Sequence, residues 1–165
     1  MYKLLARLAW WFAVAGGFAA ALVALMVVAS IAGRATVSSP IQGDVELTQL
    51  GIAFCISLCL PWCQLHGSNI IVDFFTQKAS TRTRQVLDAI GGLLLAAMVW
   101  LLAWRTAVGA IAVAEAQEAT MIRELPMWWI YAALAPGLAL TGVIAFWQAA
   151  LRLAGRHVVV DRVGL

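Results

Sequence analysis

Residues 8–33 read LAWWFAVAGGFAAALVALMVVASIAG, and no side chain in the run carries a charge. About 20 apolar residues at 1.5 Å rise cross the hydrocarbon core of a bilayer, so this run is long enough to span with residues left for tilt. Three more stretches repeat it. Residues 46–72 are charge-free from Leu47, residues 125–151 are charge-free throughout, and residues 86–114 are interrupted by Asp88 near the start and Arg105 within. A lipid-exposed backbone must satisfy its own polar groups, which makes each stretch a helix. The expected fold is all-α, a single domain of four tilted transmembrane helices over 8–33, 46–72, 86–114 and 125–151. A polar tail follows at 152–165.

Composition supports the same solvent. Of the 165 residues, 64% are hydrophobic and 12% charged, against roughly 45–50% and 25% in soluble domains. Mean hydropathy is +0.92. A soluble domain of this size leaves about a third of its surface in water and needs more polar groups than these. Disordered chains are charged and poor in apolar residues, so disorder is excluded too. The net charge of +3 reads as membrane orientation rather than nucleic-acid binding, because no basic patch with interleaved stacking aromatics is present. Lys3 and Arg7 before an apolar run resemble a signal peptide, but the run is about twice the usual 7–15-residue core. It is expected to remain as the first helix.

Orientation follows from Lys and Arg in the connecting segments. Lys3 and Arg7 precede the first span, Arg34 follows it, and Lys78, Arg82 and Arg84 lie in the second connection. Arg123 stands among Glu115, Glu118 and Glu124 in the third, and Arg152, Arg156 and Arg162 lie in the tail. The alternation predicts both termini in the cytoplasm. Locally, Ser38-Ser39-Pro40 and Gly43 make a turn, Asp44 is the expected N-cap of the second helix, and Glu46 suits its first turn. Pro126 suits the first turn of the fourth. Pro61 and Pro136 fall inside spans, where kinks are tolerated. Trp10-Trp11 and Trp128-Trp129-Tyr131 lie at span ends, where interfacial aromatic belts form.

Few residues invite chemistry. Cys55, Cys59 and Cys63 recur every four residues along one face of the second helix, with His66 beyond them. Soft-metal or redox chemistry would use such ligands, giving an alternative reading as a small membrane redox or metal-binding protein. Successive i, i+4 positions climb the helix rather than converge, so packing is the expectation and no metal or cofactor is expected. A quinone-linked disulfide oxidase would want cysteine pairs in loops, and the loops have none. Glu46 and Arg105 reach comparable depths: they form an ion pair, or Arg105 snorkels outward and Glu46 stays solvated. His66, Asn69 and Asp73 share a face at the end of the second helix, as an interfacial polar face, a partner contact or an ion route. The spans hold almost nothing to continue such a route. There is no phosphate-cradling Gly-rich loop and no catalytic triad, so an enzyme is not expected. Broken helices around a polar midplane site, as in self-contained transporters, are missing as well. Gly16-Gly17, Gly91-Gly92, Gly109 and Gly142 supply smooth faces for close packing. A partner membrane protein is the expectation.

The chain resembles the small permease (Q) subunit of tripartite ATP-independent periplasmic (TRAP) transporters. The likeness covers essentially all of it. It lies in the four spans, Glu46-Leu47 opening the second helix, Asn69-Ile70-Ile71-Val72-Asp73 near its end, and the basic stretch with Arg82 and Arg84. Leu125-Pro126-Met127-Trp128-Trp129-Ile130-Tyr131 and Pro136-Gly137 complete the order. One position departs: many members carry His where this chain has Asn69, and its own His66 stands three residues earlier. The resemblance implies a non-catalytic subunit of the bacterial inner membrane, beside a large permease subunit that holds the sodium and substrate sites. It implies a periplasmic binding protein that delivers an organic acid, and a role in bracing the static scaffold. Glu46, Trp62, Asp73, Arg105, Trp128 and Trp129 are the expected structural or partner contacts, with membrane lipids around the rest.

Overall fold

The computed structural model describes residues 2–37, 41–66 and 81–154. It is all-helical: α1 (Tyr2–Val37), α2 (Asp44–Leu65), α3 (Thr81–Glu115) and α4 (Trp128–Leu153). All four are long and apolar enough to cross a membrane. Asn69, Asp73 and Lys78 lie outside the described residues, as do the side chains of Arg82 and Arg84 and the tail from residue 155.

The helices pack in a row. α1 lies along α2, α2 against α4, and α4 along α3, while α1 touches α4 only marginally. The row is tied at one end, where Leu5 and Ala9 of α1 meet Leu65 of α2 and Ile144 of α4, all buried. Tyr2 stacks on Trp147 there at 5.8 Å between ring centroids. That burial explains why α1 starts at Tyr2, ahead of its charge-free run: Leu5 is on the core side, and Lys3 is exposed. At the same end Arg152 Nη1 donates to the Asp88 carbonyl, 3.3 Å away, tying the start of α3 to the last turn of α4. The start of α1 and the ends of α2 and α4 therefore share one side of the molecule, and both short loops share the other.

Small residues set the spacing between helices. Pro61 removes the N–H that Ser57 would otherwise bond in the helical ladder. The Ser57 carbonyl lies directly against Gly137 of α4, where a Cβ would collide with it. Ser57 Oγ also donates to the Leu134 carbonyl at 2.7 Å. α2 and α4 thus meet backbone to backbone, with proline, glycine and serine each serving the crossing. Of the glycines marked in the sequence, Gly16 meets Cys59 and Gly142 meets Trp100, whereas Gly17 and Gly91 face open space.

The rest of the surface is inverted relative to a soluble protein. Trp11, Phe18, Leu25, Leu94, Met98 and Trp104 are each more than 60% exposed. Such a surface suits acyl chains, not water.

Candidate functional site: the polar clasps at the two ends

At the loop end, α2 opens through Gly43, whose φ of +75° suits a residue without a side chain. Gly43, and not Asp44, holds the N-cap position, which corrects the expected capping role. Asp44 is the first helical residue, and its carboxylate is drawn to α1. Ser30 Oγ donates to Asp44 Oδ2 at 2.6 Å, and Arg34 Nη2 pairs with the same oxygen at 3.1 Å. Asp44 Oδ1 accepts the Val45 N–H at 2.8 Å. This is the one ion pair among the described residues.

The α3–α4 loop completes the clasp. α3 ends with Gln117 in the left-handed region, φ +53°. Glu118 N–H bonds the Val113 carbonyl and Gln117 N–H the Ala114 carbonyl, the two bonds of a Schellman ending. The chain then folds back on itself. Ala119 bridges Pro126, with Thr120 N–H on the Leu125 carbonyl and Met127 N–H on the Glu118 carbonyl, both at 3.0 Å. Pro126 therefore stands before α4 rather than in its first turn. The bridge uses the Leu125 carbonyl and the Met127 N–H, so the missing N–H of proline is not needed there. The loop tip reaches back to α2: Ile122 N–H donates to Glu46 Oε1 at 3.2 Å, and Arg123 Nε to the Gln42 carbonyl at 3.0 Å. Glu46 Oε2 is buried with no hydrogen-bond partner among the described residues. A cleft of about 450 Å³ opens beside it, lined by Gln49, Glu118, Thr120 and Met127 among others.

The expected contacts are thus dispersed. Glu46 ties the first turn of α2 to the α3–α4 loop and does not reach Arg105, which is exposed and makes no ion pair among the described residues. Trp62 packs against the core at the terminal end and lies 4.1 Å from the His66 ring. Trp128 and Trp129, 5.6 Å apart, sit exposed at the start of α4. Asp73 lies outside the described residues. What the residue reading missed is the terminal clasp: Gln148 Nε2 donates to the Leu65 carbonyl at 3.0 Å, and Gln64 Nε2 to Gln148 Oε1 at 2.9 Å. The available signal was modest: Gln148 is the single glutamine of the fourth apolar run, and Gln64 lies deep in the second, which also holds Gln49 near its start.

The cysteine stripe turns gradually out of the protein, from buried Cys55 to exposed Cys63. His66 Nδ1 lies 3.0 Å from the Trp62 carbonyl of its own helix. Among the described residues no three of His, Cys, Asp and Glu gather as metal ligands. Replacing all three cysteines by alanine is expected to leave the chain monodisperse in detergent. The main loss would fall at Cys59, whose sulfur fills the space beside Gly16; thermal unfolding of the single and triple variants checks this. Asp44→Ala is expected to lower the unfolding temperature, with the deficit shrinking as salt rises. Asp44→Asn, which keeps an acceptor for Ser30, should lose less.

Four apolar helices in a row, clasped by polar groups at both ends, define a multi-pass membrane protein. Residues 23–156 match the family model described as tripartite ATP-independent periplasmic transporters, DctQ component. The match covers well over half of the chain, and the protein belongs to this family: it is a TRAP transporter small membrane subunit. Comparison with curated proteins and with solved structures gave no match.

Proposed function

We propose that this chain is the non-catalytic subunit of a sodium-coupled importer of organic acids. It sits in the bacterial inner membrane with both termini in the cytoplasm. It braces the scaffold of the large permease subunit, while a periplasmic binding protein delivers the solute. The observation that carries the reading is the open row of helices. A self-contained transporter gathers polar groups around a midplane site; here the polar contacts between helices lie mainly at the two ends, at the Asp44 and Gln148 clasps. A long apolar row suits a passive wall that widens a scaffold and resists its displacement in the bilayer.

Co-expression with the large TRAP permease of the same organism tests this. The two chains should co-purify, and sodium-driven uptake in proteoliposomes should require both together with the binding protein. Uptake by the large subunit alone at the full rate would overturn the proposal. Topology is read separately: Met121, 97% exposed at the loop tip, replaced by cysteine in a cysteine-free background, should react with an impermeant maleimide from the periplasmic side. Labelling only after the inner membrane is opened would reverse the orientation.

A further inference from the structure

We infer that the face of α3 turned away from α4 is a helix-docking seam, and that its occupant is a transmembrane helix of the large subunit bearing a carboxylate level with Arg105. The inference rests on the subunit role proposed above and adds which face meets the partner. α4 covers the side of α3 that carries Ala89, Ala96 and Ala103, all buried. On the other side, Leu94, Met98, Leu101, Arg105, Val108 and Ala112 follow one another at intervals of four, three, four, three and four, and all are exposed. That 3.5-residue alternation is the pattern of a seam that receives knobs from a second helix.

Arg105 decides between lipid and protein. By 1.5 Å per residue it stands about 7 Å past the middle of the Val86–Glu115 span, inside the roughly 15 Å half-thickness of the hydrocarbon. An exposed guanidinium at that depth makes no ion pair among the described residues. An apolar helix face is content in lipid, whereas a guanidinium at this depth must stretch outward to the interface or meet an anion, and a partner carboxylate supplies the second without the stretch. The opposite edge of the row shows the contrast: Phe18, Leu22 and Leu25 of α1 are exposed, and no charge lies among them. α1 is the lipid edge and α3 the protein edge. A second copy is a poor occupant. Parallel copies related by an axis along the membrane normal would bring two Arg105 side chains to the same depth, and like charges repel. A carboxylate on a partner helix fits the planar fork of arginine and fixes the register, as a polar residue in a seam does.

The test places a photo-reactive phenylalanine analogue at Leu94, Leu101 or Val108, and as controls at Phe18 or Leu25, in the chain co-expressed with the large subunit. Adducts with the large subunit are expected from the α3 positions and not from α1. Arg105→Glu should cut the co-purified large subunit at least about tenfold, and Arg105→Lys should retain most of it. Each variant is also purified alone, where an unchanged elution profile and helical circular dichroism show that the fold persists. Adducts from α1 alone, with co-purification intact, would overturn the seam while the subunit role stands. Adducts between two copies of this chain would overturn the occupant. Arg105→Glu co-purifying like wild type would overturn the charge pairing. A wild-type chain that never retains the large subunit would sink both the seam and the role beneath it.

Discussion

Replacing Gly137 by valine is expected to separate α2 from α4 and to lower the yield and the unfolding temperature of the protein sharply. The Ser57 carbonyl lies where a Cβ on residue 137 would stand. Backbone cannot rotate away as a side chain can, so relief requires the helices to move apart. The movement breaks the 2.7 Å bond from Ser57 Oγ to the Leu134 carbonyl. It also strands the Ser57 carbonyl, already deprived of a ladder donor by Pro61, in an apolar surround. Overpacking and the lost bond together put the expected cost at about 3 kcal/mol, enough to consume much of a small protein's stability. Gly137→Ala should show a graded form of the same defect. Gly17→Ala is the control: nothing lies within 4 Å of its would-be Cβ, so it should be neutral or slightly stabilising, since alanine is the better helix former. Detergent-extracted yield, monodispersity and thermal unfolding report all three. A valine variant that unfolds like wild type would mean that α2 and α4 do not approach as described.

The contrast between those two glycines shows what was legible in the sequence. Helix number, helix type and approximate placement follow from charge-free runs, because the bilayer imposes its thickness on every span alike. Which face of a helix meets another does not follow, because lipid and protein neighbours demand the same apolar residues. Gly16-Gly17 reads as one smooth patch, yet only Gly16 is at a crossing. A tight contact against backbone falls instead at Gly137, where Pro61 seventy-six positions away frees the carbonyl it touches. Helix ends escape the sequence for a related reason. Asp44 has the chemistry of an N-cap, but Ser30 and Arg34 on another helix compete for its carboxylate, and Gly43 takes the position by conformation. Gln117 ends α3 in a left-handed conformation that composition assigns to glycine, helped by its own amide on the Ala114 carbonyl at 2.9 Å. Ion pairing between Glu46 and Arg105 and separate solvation of the two are equally compatible with the sequence. Comparable depth could not distinguish them, and the loop amide of Ile122 takes Glu46 instead.

Gln148→Leu is the complementary experiment, since it removes polarity where Gly137→Val adds bulk. Gln148 is 3% exposed and bridges two groups of α2 at once: its amide donates to the Leu65 carbonyl, and its carbonyl accepts from Gln64. Leu65 is the last residue of α2, so its carbonyl is one of those a helix end leaves without an internal donor. Leucine matches the volume of glutamine closely, so packing should hold while the carbonyl loses its donor. Polar contacts between membrane helices average about 0.6 kcal/mol and reach about 1.7. The buried, two-sided case here should fall near the upper figure. A double-mutant cycle with Gln64→Leu separates the two bonds. The Gln64 bond should account for the coupling, and the remainder belongs to the Leu65 carbonyl. Coupling near zero would show that the two amides do not share a bond in the membrane. The consequence reaches the partner as well. Loosening the terminal end lets α1 and α2 pivot relative to α4, and under the bracing role proposed above a pivoting wall holds the scaffold poorly. Gln148→Leu should therefore reduce uptake by the assembled transporter more than it reduces co-purification, with the two readouts measured on one preparation.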